Sequence, residues 1–373
     1  MGLYGALVRP VLFRVDPERV HDRSVRLAEL AGSAGLVRWA AARWSGGVDG
    51  RLAVRVAGLD FPSPLGLAAG YDKSGRAVPL LSALGFGHVE IGSVSADPSA
   101  GNPRPRLFRL PADQAIVVHY GVPNDGAERV AARLAGLPHR VPLGINVVST
   151  NHGPGAPVES TDAVVADYVR SVRCLQDRAD YLCLNLSCPN TRDGQHFFHD
   201  PARLRLLLSA LAEAGVTRPV FLKVAPFAGP DALETFLTAV GGARFVSGFS
   251  VNLPSDKPAG LRTPGAALAR MPGAVAGRPA EAAADRTIRE LYQRIEPGRY
   301  KVIGSGGVFT AADAYRKIRL GASLVQLFTA LVYAGPGVVR TIHRDLPHLL
   351  ERDGFGHVAD AVGADAGRPG RPL

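Results

Sequence analysis

The segment from residue 142 to residue 187 is one unit of three parts: PLGINV (142–147), DAVVADYVRSVRCLQ (162–176) and YLCLNLS (181–187). The outer parts are short apolar runs with the length of buried strands, and the middle part carries apolar residues at helical spacing. A strand, a helix and a second strand in this order are typical of a parallel sheet. The segment therefore predicts an α/β protein.

Further apolar runs extend this pattern in both directions along the chain. They are PLGLAAG (64–70), HVEIGS (88–93), VFLKVA (220–225), FVSGFSVN (245–252), KVIGSGG (301–307) and ASLVQLF (322–328). Helix-like stretches lie between most of them, and a total of eight strands favours a closed (β/α)8 TIM barrel over an open doubly wound sheet. The preceding stretch LDFPSPLG (59–66) predicts a small hairpin strand beneath the barrel.

The first 45 residues differ from this repeating pattern. LYGALVRPVLFRV (3–15) and SVRLAELAGSAGLVRWAAARW (24–44) carry apolar residues at helical spacing with arginine between them, which predicts two short amphipathic helices. Residues 1–45 are expected to form a helical extension, residues 50–360 the barrel, and residues 361–373 a flexible C-terminal tail. The extension is either a structural cap on the barrel or a surface that dips into a membrane interface.

Composition narrows the function classes. The chain has 373 residues and a net charge of +10, but its basic residues are scattered, so small anionic ligands fit the charge better than nucleic acid. The cysteines, Cys174, Cys183 and Cys188, show neither a CxxC motif nor metal-ligand spacing, which indicates a reducing cytosol and no metal site. No apolar stretch reaches the length of a membrane span, and no secretory signal is recognised.

Barrel enzymes carry their chemistry at the C-terminal ends of the strands. Small or hydrogen-bonding residues follow the predicted strands: Ala68, Ala69, Ser93, Asn146, Asn185, Asn252, Gly306, Gly307 and Thr329. Two lysines stand out in a chain that otherwise uses arginine, because Lys73 follows a strand end and Lys223 lies inside an apolar run. Lysine is a compact point charge that suits one developing anionic centre.

The glycines of IGSGG (303–307) follow the seventh predicted strand, where barrels often bind phosphate through backbone N–H groups. Gly277 in VAGRP (275–279) adds a further candidate backbone contact. A phosphate at this end, with Lys223 and Asn146 reaching inward, describes flavin mononucleotide (FMN) lying across the barrel mouth. A lysine beside the flavin ring would stabilise the charge of the reduced form.

Cys188 in LNLSCPNT (184–191) has polar neighbours, whereas a packing cysteine is expected among apolar ones. A thiol facing the flavin could take a proton from a substrate carbon while a hydride leaves to the flavin. That role needs a thiolate, which a nearby cation such as Lys73 would favour. Asn185 and Asn190 flank the thiol and could hold a planar substrate with amide and carboxylate edges.

Several motifs together resemble the dihydroorotate dehydrogenases over roughly residues 5–360. They are PLGLAAGYDKSG (64–75), LGFGHVEIGSV (84–94), GNPRPRLFRL (101–110), LNLSCPNT (184–191) and VIGSGGV (302–308). VDPERVHD (15–22) resembles the quinone-using, membrane-associated class of that family, in which N-terminal helices form an apolar access route for the quinone.

The resemblance implies FMN contacts at Ala68, Ala69, Ser93, Asn146, Lys223, Gly277, Gly306, Gly307 and Thr329. It implies substrate contacts at Lys73, Asn185, Asn190 and Asn252, and a catalytic base at Cys188. The implied reaction takes a proton from C5 of dihydroorotate to the base and a hydride from C6 to flavin N5, and a quinone then reoxidises the flavin. The implied location is the cytoplasm, with residues 1–45 against the inner face of the cell membrane.

This chain departs from the family around the substrate. The quinone-using class has serine as its base, Val118 stands where an asparagine normally contacts orotate, and Leu253 stands where threonine or serine is usual. The alternative reading is therefore a related FMN oxidoreductase that acts on another small cyclic or unsaturated substrate. Histidines of the altered loops, at positions 119, 152 and 196, either serve such a substrate or are solvated loop residues.

Overall fold

A computed structural model describes residues 4–191, 194 and 197–367. The strands, in chain order, are β1 (Val54–Val56), β2 (Leu59–Phe61), β3 (Leu65–Leu67), β4 (His88–Val94), β5 (Leu107–Leu110), β6 (Ala115–Val118), β7 (Leu143–Val147), β8 (Tyr181–Asn185), β9 (Val220–Val224), β10 (Val246–Val251), β11 (Ala274–Gly277), β12 (Lys301–Gly304) and β13 (Leu324–Leu327). Within these residues, eight parallel strands close into a barrel in the order β3-β4-β7-β8-β9-β10-β12-β13. The predicted TIM barrel is confirmed.

Helices flank the barrel. In chain order they are α1 (Arg9–Leu12), α2 (Pro17–Ser33), α3 (Gly35–Ser45), α4 (Val78–Leu81), α5 (Ala127–Leu134), α6 (Thr161–Leu175), α7 (Pro201–Glu213), α8 (Pro230–Val240), α9 (Gly265–Leu268), α10 (Glu281–Arg294), α11 (Ala311–Arg319), α12 (Thr329–Ala334) and α13 (Gly337–Arg352). None of the described helices is long and apolar enough to cross a lipid bilayer.

The barrel interior contains a buried polar centre. Glu90 on β4 accepts hydrogen bonds from Asn146 Nδ2 at 2.9 Å, from the Tyr181 hydroxyl at 3.2 Å and from Gln326 Nε2 at 2.9 Å. Buried polar groups that are mutually satisfied in this way restrict one another's rotamers. The Asn146 side chain is thereby held in place near the C-terminal end of β7.

The N-terminal extension is helical, but its boundaries differ from the predicted ones. The second predicted helix is divided at Ala34, whose ψ angle of 118° is extended, and Gly32, Ser33 and Gly35 around it are poor helix formers. α2 also begins earlier than predicted, because the Asp16 side chain caps it by accepting the Arg19 backbone N–H at 2.9 Å.

Two small sheets lie outside the barrel. β1 and β2 pair as an antiparallel hairpin, which confirms the predicted hairpin strand. β5, β6 and β11 form an antiparallel sheet that sequence reasoning missed. Its register pairs Ala274 with Val118 and Gly277 with Ala115, so this sheet positions two residues singled out from the sequence, Val118 and Gly277.

The segment predicted as a C-terminal tail begins at residue 361. Its first residues pack on the barrel: Ala361 and Ala366 are buried, and Asp365 forms a salt bridge with Arg319. The remainder of the segment, residues 368–373, lies outside the described residues.

Candidate active site

A cavity opens at the C-terminal ends of β12 and β13. Its lining includes most of the residues predicted to bind a cofactor: Ala68, Ala69, Lys223, Gly277, Gly306, Gly307 and Thr329. They come from widely separated parts of the chain, and the closure of the barrel brings them together. The cavity is thus placed where barrels often bind phosphate.

Three positions of this cavity have a backbone conformation that favours glycine. Gly277, Gly306 and Gly307 have φ angles of 104°, 88° and 75°, a region that other residues rarely adopt. A Cβ on Gly277 would lie 2.5 Å from the carbonyl oxygen of Gln114, and one on Gly307 would lie 2.6 Å from the Cβ of Glu281. The backbone can therefore stay close to the cavity, as a bound phosphate requires.

An adjoining cavity holds the predicted substrate residues and the predicted base. Lys73, Asn185, Cys188, Asn190 and Asn252 all line it, although they follow different strands. Ser93 lines it as well, and Lys223, Asn252 and Ala69 line both cavities. A flat molecule lying across both cavities would therefore face Cys188 at one end and the glycines at the other.

A hydrogen-bonded chain fixes the amides of this cavity. The Ser93 hydroxyl donates to Asn146 Oδ1 at 2.5 Å, and Asn185 Nδ2 donates to Ser93 Oγ at 3.2 Å. Asn252 Nδ2 in turn donates to Asn185 Oδ1 at 3.3 Å and to Ser187 Oγ at 3.0 Å. Because each amide has its partners inside the protein, the orientations are set before a ligand binds.

Cys188 is buried, with 3% of its surface exposed. Burial raises the pKa of its thiol, while hydrogen bonds from Asn190 and Thr191 and the charge of Lys223 lower that pKa in part. The net shift is upward, so the thiol is protonated at neutral pH. Lys223 is the leading cation at this thiol, in place of the Lys73 suggested by the sequence.

Lys73 lies between the substrate cavity and the N-terminal helices. Its ammonium donates to His21 Nε2 at 2.6 Å and lies 4.1 Å from the centre of the Tyr120 ring. Burial lowers the pKa of Lys73 to about 8, against the opposing charges of Asp22 and Glu18. Lys73 therefore carries its charge at neutral pH and loses it in mildly alkaline solution.

The sequence profile of the dihydroorotate dehydrogenase family matches residues 51–350. A protein named dihydroorotate dehydrogenase (quinone) from Acidithiobacillus ferrooxidans is 42% identical over 377 aligned positions, which cover 97% of this chain and 99% of that protein. The protein of the same name from Natronomonas pharaonis is 39% identical, with 98% and 100% covered. A crystal structure of ligand-free DHODH from Eimeria tenella matches with a TM-score of 0.77 at 30% identity, covering 91% of this chain and 99% of that one.

The chain belongs to the dihydroorotate dehydrogenase family. The predicted family and enzyme class, an oxidoreductase acting on a CH–CH bond, are therefore confirmed. In this member of the dihydroorotate dehydrogenase family, the predicted site residues meet at the C-terminal ends of the barrel strands.

The residues that depart from the dihydroorotate dehydrogenase pattern lie in the wall of the substrate cavity. Val118 and Leu253 both line it, together with Ala276. They also join an apolar cluster that contains Phe13 of the N-terminal extension and Tyr333 of α12, whose rings are in contact. One wall of the cavity is thus apolar.

Sequence reasoning missed several residues of the site. Tyr120 and Phe328 line the substrate cavity, Thr191 contacts Cys188, and His21 contacts Lys73. Thr191 stands three residues after Cys188 in the quoted motif, so its spacing was a usable signal; nothing local points to His21.

The altered-loop histidines have other partners. Asn102 Nδ2 lies 3.2 Å from His119 Nε2, and His152 pairs with Glu159 at 3.0 Å. Neither histidine is among the described residues that line the substrate cavity. The third, at position 196, lies outside the described residues.

Proposed function

We propose that this protein oxidises dihydroorotate to orotate, with FMN as its bound cofactor and a quinone as electron acceptor. The observation that carries the proposal is the convergence of Cys188, Lys73 and three asparagines in one cavity, beside a glycine-lined cavity that Lys223 also borders. Relatives named dihydroorotate dehydrogenase (quinone), which match nearly the full length of the chain, support the substrate and the acceptor.

The glycine-lined cavity fits the phosphate and ribityl part of FMN. Gly277, Gly306 and Gly307 line the cavity with backbone at positive φ angles, which could offer N–H groups to phosphate oxygens, and Thr329 adds a hydroxyl. Lys223 borders both cavities and would supply positive charge beside the ring. When bound, the flavin supplies the redox chemistry by accepting a hydride from the substrate and passing the electrons to the quinone.

Lys73, Asn185, Asn190 and Asn252 would bind a planar anionic ring. Lys73 offers a charge for a carboxylate, and the amides of the asparagines offer donors and acceptors for a ring with amide edges. Because the hydrogen-bonded chain through Ser93 already fixes Asn185 and Asn252, little ordering entropy remains to be lost when the substrate binds.

Cys188 would remove the proton from the substrate carbon. Its thiol must first lose its own proton, and the Thr191 hydrogen bond and the Lys223 charge both favour the thiolate. The burial of Cys188 keeps water from its thiol and so strengthens these interactions. The raised pKa makes Cys188 a strong base once it is deprotonated, at the expense of a small thiolate fraction at neutral pH.

The N-terminal extension would meet the quinone and the inner face of the cell membrane. Nine of the eleven exposed large apolar side chains among the described residues lie between Leu7 and Trp44. Exposed arginines at positions 14, 23, 26 and 43 lie among them, as expected of a surface that contacts lipid phosphates. The apolar cluster from Phe13 to Val118 continues this surface toward the substrate cavity.

The test is anaerobic reduction of the purified flavoprotein by dihydroorotate, followed at the visible flavin band. Rapid bleaching of the wild-type protein is expected. Cys188→Ala should retain FMN and bleach roughly 10²-fold more slowly, because a general base is lost. The matched control is Cys174→Ala, since Cys174 is a partly buried thiol on α6, away from the site. A stable yellow wild-type protein would refute dihydroorotate as the substrate.

The apolar wall favours a second candidate: an FMN oxidoreductase of the same fold that acts on another small cyclic or unsaturated acid. A site that lacks two hydrogen-bonding groups should bind a polar ring more weakly by several orders of magnitude, on the order of 10⁴. Val118 and Leu253 would instead contact an apolar edge of the substrate.

The double variant Val118→Asn, Leu253→Thr separates the two candidates. If the second candidate is correct, the wild-type protein bleaches little with dihydroorotate and the double variant bleaches faster. If dihydroorotate is the substrate, the wild-type rate is already high. Ala276→Ser on the same wall is the control, because it adds a hydroxyl without restoring either of the two hydrogen-bonding groups.

A further inference from the structure

Helix α2 of the N-terminal extension contacts a lysine that lines the substrate cavity. His21 on α2 accepts the hydrogen bond of the Lys73 ammonium at 2.6 Å. Burial lowers the pKa of His21 well below its usual range, so the imidazole is neutral and has a free lone pair to accept with. A residue 52 positions earlier in the chain thus holds the cationic residue of the substrate cavity.

A second link runs from α2 to the opposite side of the same cavity. Glu18, which is 5% exposed, accepts hydrogen bonds from Arg106 Nε at 3.0 Å and Nη2 at 2.9 Å. Arg106 Nη1 donates to the carbonyl oxygens of Ala100 at 2.6 Å and Asn102 at 2.8 Å. The Asn102 side chain then donates to the carbonyl oxygen of Asn190 at 2.9 Å.

Tyr120 connects the two links. Its ring lies 4.1 Å from the Lys73 ammonium and 5.3 Å from the Arg106 guanidinium. The His21 ring lies 6.0 Å from it, at an angle of 51°. Lys73 is thus confined by an aromatic face on one side and by the imidazole of α2 on the other, which leaves its side chain few alternative rotamers.

We propose that His21 and Glu18 are positioning residues for substrate binding, so that α2 belongs to the substrate site as well as to the extension. His21 holds Lys73 toward the cavity, and Glu18 holds Asn190 through Arg106 and Asn102. The inference rests on the proposed function, in which Lys73 and Asn190 contact the anionic substrate. Deleting residues 1–45 would then damage substrate binding together with any membrane or quinone contact.

The charges around Lys73 determine how a change at α2 affects it. Asp22 and Glu18 on α2 and Asp72 beside Lys73 favour its ammonium form, whereas burial and Arg106 oppose that form. His21 adds a neutral acceptor, which stabilises the ammonium further. Removing either the His21 imidazole or the Glu18 carboxylate should therefore lower the pKa of Lys73 below its value of about 8.

The experiment compares His21→Ala, His21→Gln and Glu18→Gln with Arg19→Gln, an exposed control on α2. KM for dihydroorotate in anaerobic flavin reduction should rise about three- to tenfold in His21→Ala, the effect of one lost hydrogen bond. The reduction rate at saturating substrate and the FMN content should stay within about twofold. His21→Gln keeps a hydrogen-bond acceptor and should recover much of the affinity. Glu18→Gln should raise KM, because Asn190 is no longer held in place through Arg106 and Asn102.

The pH profile separates positioning from a general loss of stability. In the wild-type protein, 1/KM should fall as pH rises through about 8, because Lys73 loses its charge. In His21→Ala and Glu18→Gln this fall should shift to lower pH, while Arg19→Gln should match the wild type. An unchanged KM and an unchanged profile in His21→Ala would overturn the proposal.

A measurement without substrate keeps the inference independent of the proposed function. Acetic anhydride labelling of Lys73 in the holoenzyme, followed by mass spectrometry over a range of pH, reports the deprotonation of this lysine directly. The inflection should lie near pH 8 in the wild type and lower in His21→Ala. If dihydroorotate failed to reduce the wild-type flavin but this shift appeared, the function would be wrong and the contact with α2 correct. If no shift appeared, the proposal would fail.

Discussion

Cys188 shows how neighbours set the chemistry of a single residue. Burial raises the pKa of its thiol, and Thr191 and Lys223 offset only part of that increase. For Lys73 the pKa shift has the opposite direction, since burial lowers the pKa of its ammonium to about 8. The proposed base and the proposed substrate-binding lysine therefore need opposite changes in pH to reach the forms in which they would act.

This opposition predicts a split pH dependence for flavin reduction by dihydroorotate. The saturated rate should rise by up to about tenfold per pH unit between about pH 6 and 9, because the thiolate fraction of Cys188 grows. KM should increase above about pH 8, where Lys73 becomes neutral. Anaerobic stopped-flow at several substrate concentrations measures both quantities. Cys188→Ala should lack the rise in rate, and a flat wild-type rate would contradict the assignment of the base.

Gly277 predicts the effect of distorting the backbone of the glycine-lined cavity. Gly277→Ala should raise the Kd for FMN at least about tenfold, because the new Cβ would meet the Gln114 carbonyl oxygen at 2.5 Å while the backbone keeps a φ of 104°. The matched control is Gly260→Ala, which shares a positive φ of 78° but has nothing within 4 Å of its Cβ. FMN titration of the apoproteins measures both variants, and equal affinities would place the phosphate elsewhere.

At the scale of elements, α3 illustrates an amphipathic helix with an uncovered apolar side. Leu36 is 76% exposed and Trp39 is 56% exposed, whereas Ser45 at the end of α3 is buried. Water-exposed apolar surface of this kind is unfavourable unless something covers it. The arginines between these residues suit an anionic lipid surface.

Leu36→Glu with Trp39→Glu should weaken binding to vesicles of anionic phospholipid by about tenfold or more, because two large apolar side chains no longer enter the membrane. Turnover with a membrane-dissolved quinone should fall with it, while flavin reduction by dihydroorotate should stay unchanged. Leu206→Glu on α7, an exposed leucine of the barrel wall, is the control. Vesicle flotation gives the binding, and equal binding of all three proteins would leave α3 as a structural cap.

At the scale of the whole molecule, an ion network on α10 and α11 holds the outside of the barrel. Lys317 has a side chain with no exposed surface and donates to Asp285 at 2.5 Å. Arg316 donates to the same carboxylate at 2.7 Å. Asp285 and Lys317 line neither of the two cavities described above, so their ion pair should contribute to the stability of the fold.

Asp285→Asn should lower the free energy of unfolding by about 3 kcal/mol, because it leaves the buried Lys317 ammonium without its carboxylate. Asp345→Asn should change it by less than about 1 kcal/mol, since its pair with Arg344 is exposed. Urea unfolding followed by circular dichroism compares them. Equal midpoints would mean that another group compensates the charge of Lys317.

The barrel strands were predictable because a parallel strand is buried on both faces and so appears as a short apolar run. The predicted run 181–187 contains β8 (Tyr181–Asn185), and the predicted run 220–225 contains β9 (Val220–Val224). The sheet of β5, β6 and β11 was missed because β11 is distant in sequence from the other two strands. Local pattern carries no signal for such pairing.

The sequence by itself determined the barrel, the strand ends that carry polar groups, and Cys188 as the unusual thiol, because periodicity and local composition are written along the chain. Only the tertiary structure decided which groups act on one another. It gave Cys188 the charge of Lys223 and gave Lys73 the imidazole of His21. It also placed Val118 and Leu253 on one wall. These contacts join residues tens to hundreds of positions apart, and closure of the barrel, with α2 packed against it, alone brings them within reach.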